Sequence, residues 1–136
     1  MKVLFWTGVF LCLSSLIKPL PDKSKNFKNI REIVVIMLPN ELDVSSALTT
    51  EDSFDSFTNL KDTIRFHVNH YKLQLGTDKY QTSSLDLRTK VVIYLKNGKK
   101  RVIMFDKFGR TFYLGKVYSG SEKTMEFFRT GGRISG

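Results

Sequence analysis

The pattern of apolar and polar residues is most regular in residues 88–118, where three β-rich runs are separated by the turn dipeptides Asn97-Gly98 and Gly109-Arg110. Asn-Gly favours a two-residue hairpin turn of type I′, and Gly at the first central position favours type II′, because these turns need positive φ. The pattern therefore predicts a three-stranded antiparallel meander in the C-terminal half of the chain.

Two-residue turns would fix the register of this meander, with Tyr94 paired to Arg101 and Phe105 to Leu114. Because side chains alternate across a strand, one face is wholly apolar and forms the predicted core face: Val91, Ile93, Leu95, Val102 and Met104. The second face carries Val92, Tyr94, Arg101, Ile103, Phe105 and Leu114. Either another element covers this second face or it binds a partner, since contiguous exposed apolar patches mark interaction sites.

Helical spacing of apolar residues is clearest in residues 59–75, where one stripe holds Leu60, Ile64, His67, Val68, Tyr71 and Leu75. Asn59 can cap this segment and Gly76 can terminate it, so we predict one long helix on the core face of the meander. Thr50 followed by acids suits the first turn of another helix. A capping box that starts at Ser119 predicts a short last helix, Glu122–Arg129.

Residues 31–38 are almost continuously apolar, as is typical of a strand in the interior of a sheet. The predicted fold is therefore α+β. An antiparallel sheet of about four or five strands combines the C-terminal three-stranded meander with this N-terminal strand. One long helix packs on one face of the sheet, and a short C-terminal helix follows.

The first 17 residues differ from the rest, because Lys2 precedes an uncharged, mainly apolar run over residues 3–17. A charged start and about 7–15 apolar residues describe a secretory signal, whereas a membrane-spanning helix needs about 20. We interpret residues 1–17 as a signal peptide or an N-terminal membrane anchor. The protein is then expected to be exported to the periplasm, to the cell surface or into the medium.

Composition shifts divide the remaining chain. Residues 18–30 are polar and contain two prolines, which predicts a linker. Residues 31–130 form the predicted single α+β domain, and residues 131–136 a flexible tail after Gly131-Gly132. The single cysteine, Cys12, excludes an internal disulfide and a cysteine-based zinc site.

Positive charge is concentrated in the C-terminal part. Residues 88–136 contain twelve Lys and Arg against three acids, an excess of nine, whereas residues 1–87 contain ten of each. The whole net charge of +9 therefore falls on the meander and the last helix. A basic sheet of this kind attracts an acidic protein, an anionic lipid surface or a phosphate backbone.

The sequence contains no complete set of catalytic residues, neither a nucleophile motif nor a phosphate-binding loop. His67 and His70 would be neighbours on the predicted helix, but two histidines need further ligands to hold a metal. Seven acids against Lys61 between Glu32 and Asp62 match no calcium loop, so we interpret them as a solvated face. We predict no catalytic residues, no metal and no cofactor.

The sequence thus predicts a non-catalytic binding domain that engages a protein partner or an anionic envelope surface through its basic sheet. We expect any association with a membrane to be made through the N-terminal segment. A nucleic-acid-binding domain using the basic hairpin is the alternative, and a metal-dependent hydrolase using His67 and His70 is a weaker one. The predicted partner-binding residues are Val92, Tyr94, Lys99, Lys100, Arg101, Ile103, Phe105 and Arg110.

Overall fold

The computed structural model describes residues 23–39, 41, 42, 44, 46–57, 61–77, 80–120 and 122–133. The predicted signal or anchor, residues 1–17, lies outside this part of the chain. The elements in chain order are β1 (Lys23–Lys28), β2 (Ile30–Met37), α1 (Glu51–Asp55), β3 (Asp62–Phe66), β4 (His70–Leu75), a 3₁₀ turn (Thr82–Ser84), β5 (Leu87–Leu95), β6 (Lys100–Asp106), β7 (Thr111–Tyr113), β8 (Lys116–Tyr118) and α2 (Glu122–Arg129).

The predicted α+β class with an antiparallel sheet is confirmed. Six strands pair in the order β3-β2-β5-β6-β7-β8, and β1 pairs with β4 in a separate two-stranded sheet. Every pairing is antiparallel. The apolar β2 lies between β3 and β5, in the interior position expected for it. None of the helices in the described ranges is long and apolar enough to cross a bilayer.

The predicted long helix at residues 59–75 is wrong, because its described part, residues 61–75, contains β3 and β4. Asn59 and Leu60 lie outside the described residues. Ile64, Phe66 and Val68 alternate along the chain, as do Tyr71, Leu73 and Leu75. Both sets pack into one core. The two alternating sets are offset by one residue, so their apolar positions also match an i, i+4, i+7 pattern. That offset mimics a helical stripe in what are two successive strands.

β1 occupies residues that were predicted to belong to a linker. Its outer side chains are polar, but Phe27 is buried and meets Tyr113 edge to face, with 6.0 Å between ring centroids. A break at Asn29, whose φ is 57°, separates β1 from β2. Opposite this break the backbone N–H of Ile30 donates to the carbonyl of Asn69 at 3.1 Å. The β1-β4 pair therefore contributes Phe27 and Leu73 to the core of the domain.

The predicted registers of the meander are also wrong. The β5-β6 register is shifted by one residue because its loop is longer than two residues, and the β6-β7 register is shifted by three because its loop occupies residues 107–109 instead of Gly109-Arg110. Val91 pairs with Ile103, and Phe105 pairs with Thr111. Each turn is a three-residue loop that ends in a glycine of positive φ, Gly98 at 86° and Gly109 at 83°. A type I turn followed by a left-handed glycine is the usual three-residue hairpin connection. The one-residue slip exchanges the predicted faces of β6.

The third predicted strand of the meander is divided into β7 and β8 by a two-residue turn at Leu114-Gly115. Both residues have positive φ, 49° and 79°, so the turn has the type I′ geometry. A leucine in the left-handed region costs about 1 kcal/mol, because its Cβ approaches the following carbonyl oxygen. Three strands were predicted in this region and the structure has four.

Both faces of the large sheet are covered. One face buries Ile33, Ile93, Ile103 and Phe105 under the β1-β4 pair and α2. The other buries Leu85, Leu87, Met104 and Val117 beneath the segment that contains Leu48 and Phe54 of α1. Thr50 caps α1 reciprocally with Ser53, in agreement with the sequence.

The last helix, α2, has the predicted bounds. It docks through an aromatic cluster in which Phe127 stacks on Tyr71 at 4.6 Å and Phe128 meets Phe105 at 5.8 Å. Gly131 and Gly132 end the helix with positive φ and lie against the side chains of Ile64 and Phe66. Packing of the domain therefore continues into the predicted tail, of which residues 134–136 lie outside the described ranges.

Candidate functional site

The apolar part of the predicted binding face is interior. Ile103 and Phe105 are 0% and 1% exposed, and Val92 is 6% exposed on the opposite face of the sheet. The corrected register accounts for this, since Val92 pairs with Val102 and Ile103 with Val91. These three residues are therefore covered by the rest of the chain, which is the first of the two alternatives stated for this face.

Arg110 lies at the other end of β6 and is held by its own hairpin. Its Nε donates to Asp106 Oδ2 at 2.7 Å, and its terminal nitrogen donates to the Ser84 carbonyl at 2.6 Å. Its guanidinium lies 5.2 Å from the ring centroids of both Tyr80 and Phe108. Asp106 is fully buried, so this network fixes the β6-β7 turn. We assign Arg110 a structural role.

The other four predicted residues come together at the turn between β5 and β6. Lys99 and Lys100 are exposed, and Tyr94 and Arg101 are half-buried. The backbone N–H of Leu95 donates to the Lys99 carbonyl at 2.8 Å, and that of Lys99 donates to Asn97 Oδ1 at 2.9 Å. These bonds fix the backbone of the turn that carries both lysines.

The fold adds two cations that sequence reasoning did not assign to this place. The backbone N–H of Lys96 donates to the Asn29 carbonyl at 2.8 Å, so the end of β1 touches the hairpin turn. Lys28 precedes this contact and is exposed. The Arg31 guanidinium lies 5.5 Å from the ring centroid of Tyr94. The sequence of β1 is basic, but these residues were predicted to be a linker, and a linker gives no position for their charges.

We call this region the basic end, which consists of Lys28, Arg31, Lys96, Lys99, Lys100 and Arg101. No ion pair found between described residues involves any of them. Glu32, the nearest acid along β2, instead pairs with Arg65 at 3.2 Å. The positive charge of the basic end is therefore uncompensated by acids of the described residues.

The acids of the middle segment act elsewhere. Lys90 Nζ lies 2.7 Å from Glu51 and 3.0 Å from Asp55, which joins α1 to β5. Burial alone would lower the pKa of Lys90, but its hydrogen bonds to these two carboxylates more than offset burial and raise it. This acidic helix thus neutralises the cation beneath it and leaves the basic end untouched.

Neither a protein family, nor a characterised protein, nor a solved structure matches this chain. Function is therefore inferred from the charge and geometry of the chain itself.

The histidines lack the arrangement that the helix prediction gave them. His67 Nε2 lies 3.2 Å from the Ile30 carbonyl oxygen, in the break between β3 and β4. His70 is exposed in β4, opposite Lys28. Across the described ranges no group of three or more His, Cys, Asp or Glu side chains is placed to hold a metal ion. The geometric basis for the hydrolase alternative, two histidines on one helix face, is therefore lost.

Proposed function

We propose that this chain is a small exported, non-catalytic binding domain, and that its basic end engages an anionic partner, either an acidic protein or an anionic envelope surface. The observation that carries this proposal is the convergence of six cations from two distant segments on one end of the fold, without an acidic partner among the described residues. Export follows from residues 1–17, as argued above from the sequence.

Solubility alone accounts poorly for this arrangement. Lysines at a hairpin turn or on an edge strand are common, because they discourage edge-to-edge aggregation. Such residues need not gather, and like charges held close together lower the stability of the folded chain. Arg31 nevertheless lies over Tyr94 beside the hairpin. A concentrated positive field raises the rate of encounter with an anionic partner and makes binding dependent on salt.

Charge reversal tests the proposal. The double variant Lys99→Glu, Lys100→Glu changes the charge of the basic end by four while altering only exposed side chains. The matched control is Lys107→Glu, Lys123→Glu, which makes the same change at exposed positions beyond the other end of β6 and on α2. The probes are fluorescent poly-L-glutamate and vesicles that contain phosphatidylglycerol, each titrated at low and at physiological salt.

We expect the first variant to lose at least tenfold in affinity for at least one probe and the control to lose less than threefold, because exposed charges act over about one Debye length, roughly 8 Å at physiological salt. Equal losses in both variants would mean that only net charge matters, and the basic end would not be a site. Tighter binding of single-stranded oligonucleotides than of either probe would favour the nucleic-acid alternative. The mass of the mature N-terminus tests export separately.

A further inference from the structure

Leu114 is an exposed apolar residue in a strained position. Its side chain is 75% exposed and its φ is 49°, a conformation in which Asn or Gly would fit with less strain. It forms the tip of the β7-β8 hairpin together with Gly115. Residues held in sparsely populated backbone conformations cluster at functional sites, so this strain motivates a functional hypothesis.

The topology places this tip at the same end of the sheet as the basic end. β7 runs antiparallel to β6, so the turn that ends β7 points in the same direction as the turn that begins β6. Extending the β6-β7 register by two residues brings Leu114 level with Val102, next to Lys100 and Arg101 along the strand. The molecule thus presents two neighbouring hairpin tips, one cationic and one apolar.

We propose that the basic end and Leu114 together form a peripheral membrane-binding surface, with the cations on anionic lipid headgroups and the leucine between them. This inference rests on the proposed function and names its partner as an anionic lipid bilayer. Cations beside an inserted apolar side chain are the usual composition of interfacial anchors.

A lipid surface suits these features better than an acidic protein does. Leu114 is exposed, and a bilayer is deformable enough to accept an exposed leucine without a preformed pocket. Electrostatic attraction to headgroups needs no fixed pairing geometry, which suits lysines that have no ion-pair partner among the described residues.

The expected contributions are measurable. Each Lys or Arg near an anionic surface adds roughly fivefold to the partition coefficient, and loss of one inserted leucine side chain removes about tenfold. Leu114→Asn is the informative variant, because Asn tolerates the left-handed backbone and therefore keeps the turn. Phe108→Asn is the matched control, since Phe108 is 69% exposed at the tip of the opposite hairpin turn.

The experiment is flotation of the full-length chain with vesicles of phosphatidylcholine alone or of phosphatidylcholine mixed with phosphatidylglycerol, which supplies the anionic headgroups. Wild type and variants share residues 1–22, so a difference between them reports on the substituted position alone. We expect Leu114→Asn to bind anionic vesicles about tenfold more weakly and Phe108→Asn to bind within twofold of wild type.

Equal binding of wild type and Leu114→Asn to anionic vesicles would overturn the membrane inference, as would an equal loss in Phe108→Asn. The proposed function fails in a distinguishable way, since it requires only that Lys99→Glu, Lys100→Glu weakens binding to an anionic probe. If that double variant lost affinity for poly-L-glutamate while vesicle binding was unaffected by either change, the partner would be an acidic protein.

Discussion

Replacing Tyr113 by Phe removes one oxygen atom from the centre of the domain. Tyr113 is 3% exposed, and its hydroxyl is buried without a hydrogen-bond partner. The ring meets Phe27 edge to face at 6.0 Å, a contact that phenylalanine preserves. The substitution therefore isolates the energetic effect of the hydroxyl group.

A buried polar group without a partner costs about 1–3 kcal/mol relative to its hydrated state. Phenylalanine removes that cost but leaves a small void, so we expect a net gain of about 1 kcal/mol in the free energy of unfolding at pH 7. For a domain of this size that corresponds to a rise of about 4 °C in Tm.

The pH dependence of stability gives a second test of the Tyr113 hydroxyl. Burial raises the pKa of Tyr113 above its ordinary value of 10.0, with nearby Arg101 lowering it and Tyr118 raising it further. The unfolded chain therefore loses this proton at lower pH than the folded chain does. Stability from Tyr113 is fully present below pH 10 and is lost as the pH rises through the folded pKa.

Thermal unfolding followed by circular dichroism at pH 7 and above pH 10 tests both effects. Tyr113→Phe should have a higher Tm than wild type at pH 7 and a smaller alkaline loss. Some loss should remain, because burial also raises the pKa of Tyr71 despite its hydrogen bond with Thr124. Tyr80→Phe is the control, since Tyr80 is 43% exposed. A destabilised Tyr113→Phe would refute the reasoning, because it would mean that the hydroxyl is hydrogen-bonded.

Two further substitutions test how the fold positions its loops. Arg88→Met should lower the free energy of unfolding by about 3 kcal/mol in chemical denaturation, because the 1%-exposed guanidinium donates to the carbonyls of Pro39 and Leu42 and to Asp86. Arg65→Met, at an exposed ion pair, is the control and should change the free energy of unfolding by less than about 1 kcal/mol. Similar losses in the two variants would mean that the buried hydrogen bonds of Arg88 do not stabilise the fold. Gly98→Ala should lower the free energy of unfolding by about 1 kcal/mol, because the φ of Gly98 is 86° and disfavours alanine. A Cβ at this position would meet nothing within 4 Å, so no clash adds to that cost. An unchanged Tm in Gly98→Ala would contradict the three-residue loop.

The position of the β5-β6 hairpin could be predicted from sequence, but the length of its loop could not. Asn97-Gly98 does reverse the chain, yet only Gly98 has positive φ, and Asn97 instead accepts a hydrogen bond from the Lys99 N–H. A two-residue and a three-residue loop place the same dipeptide at the turn. They differ by one residue of register, which decides whether Ile103 faces the same side as Val91 or as Val92.

The helix error had a different origin. The apolar positions of residues 59–75 match a single helical pattern, whereas the chain breaks at His67–Asn69. β3 is extended because it pairs with β2, and β4 is extended because of its pairing with β1. The same pairing determines the candidate site, because it sets the path along which Lys28 reaches the hairpin. Local patterns identified the cations of β6, and long-range pairing was needed to find their neighbours.

The burial of Phe27 sets a limit on how far the amino terminus can be trimmed. A protease that removed everything up to the bend at Asn29 would strip one strand from its partner and uncover Leu73, which is fully buried in the intact fold. Cleavage upstream of Lys23 would leave β1 paired with β4 and Leu73 covered. The short basic strand is thus part of the folded domain, because it contributes Phe27 to the core and covers Leu73.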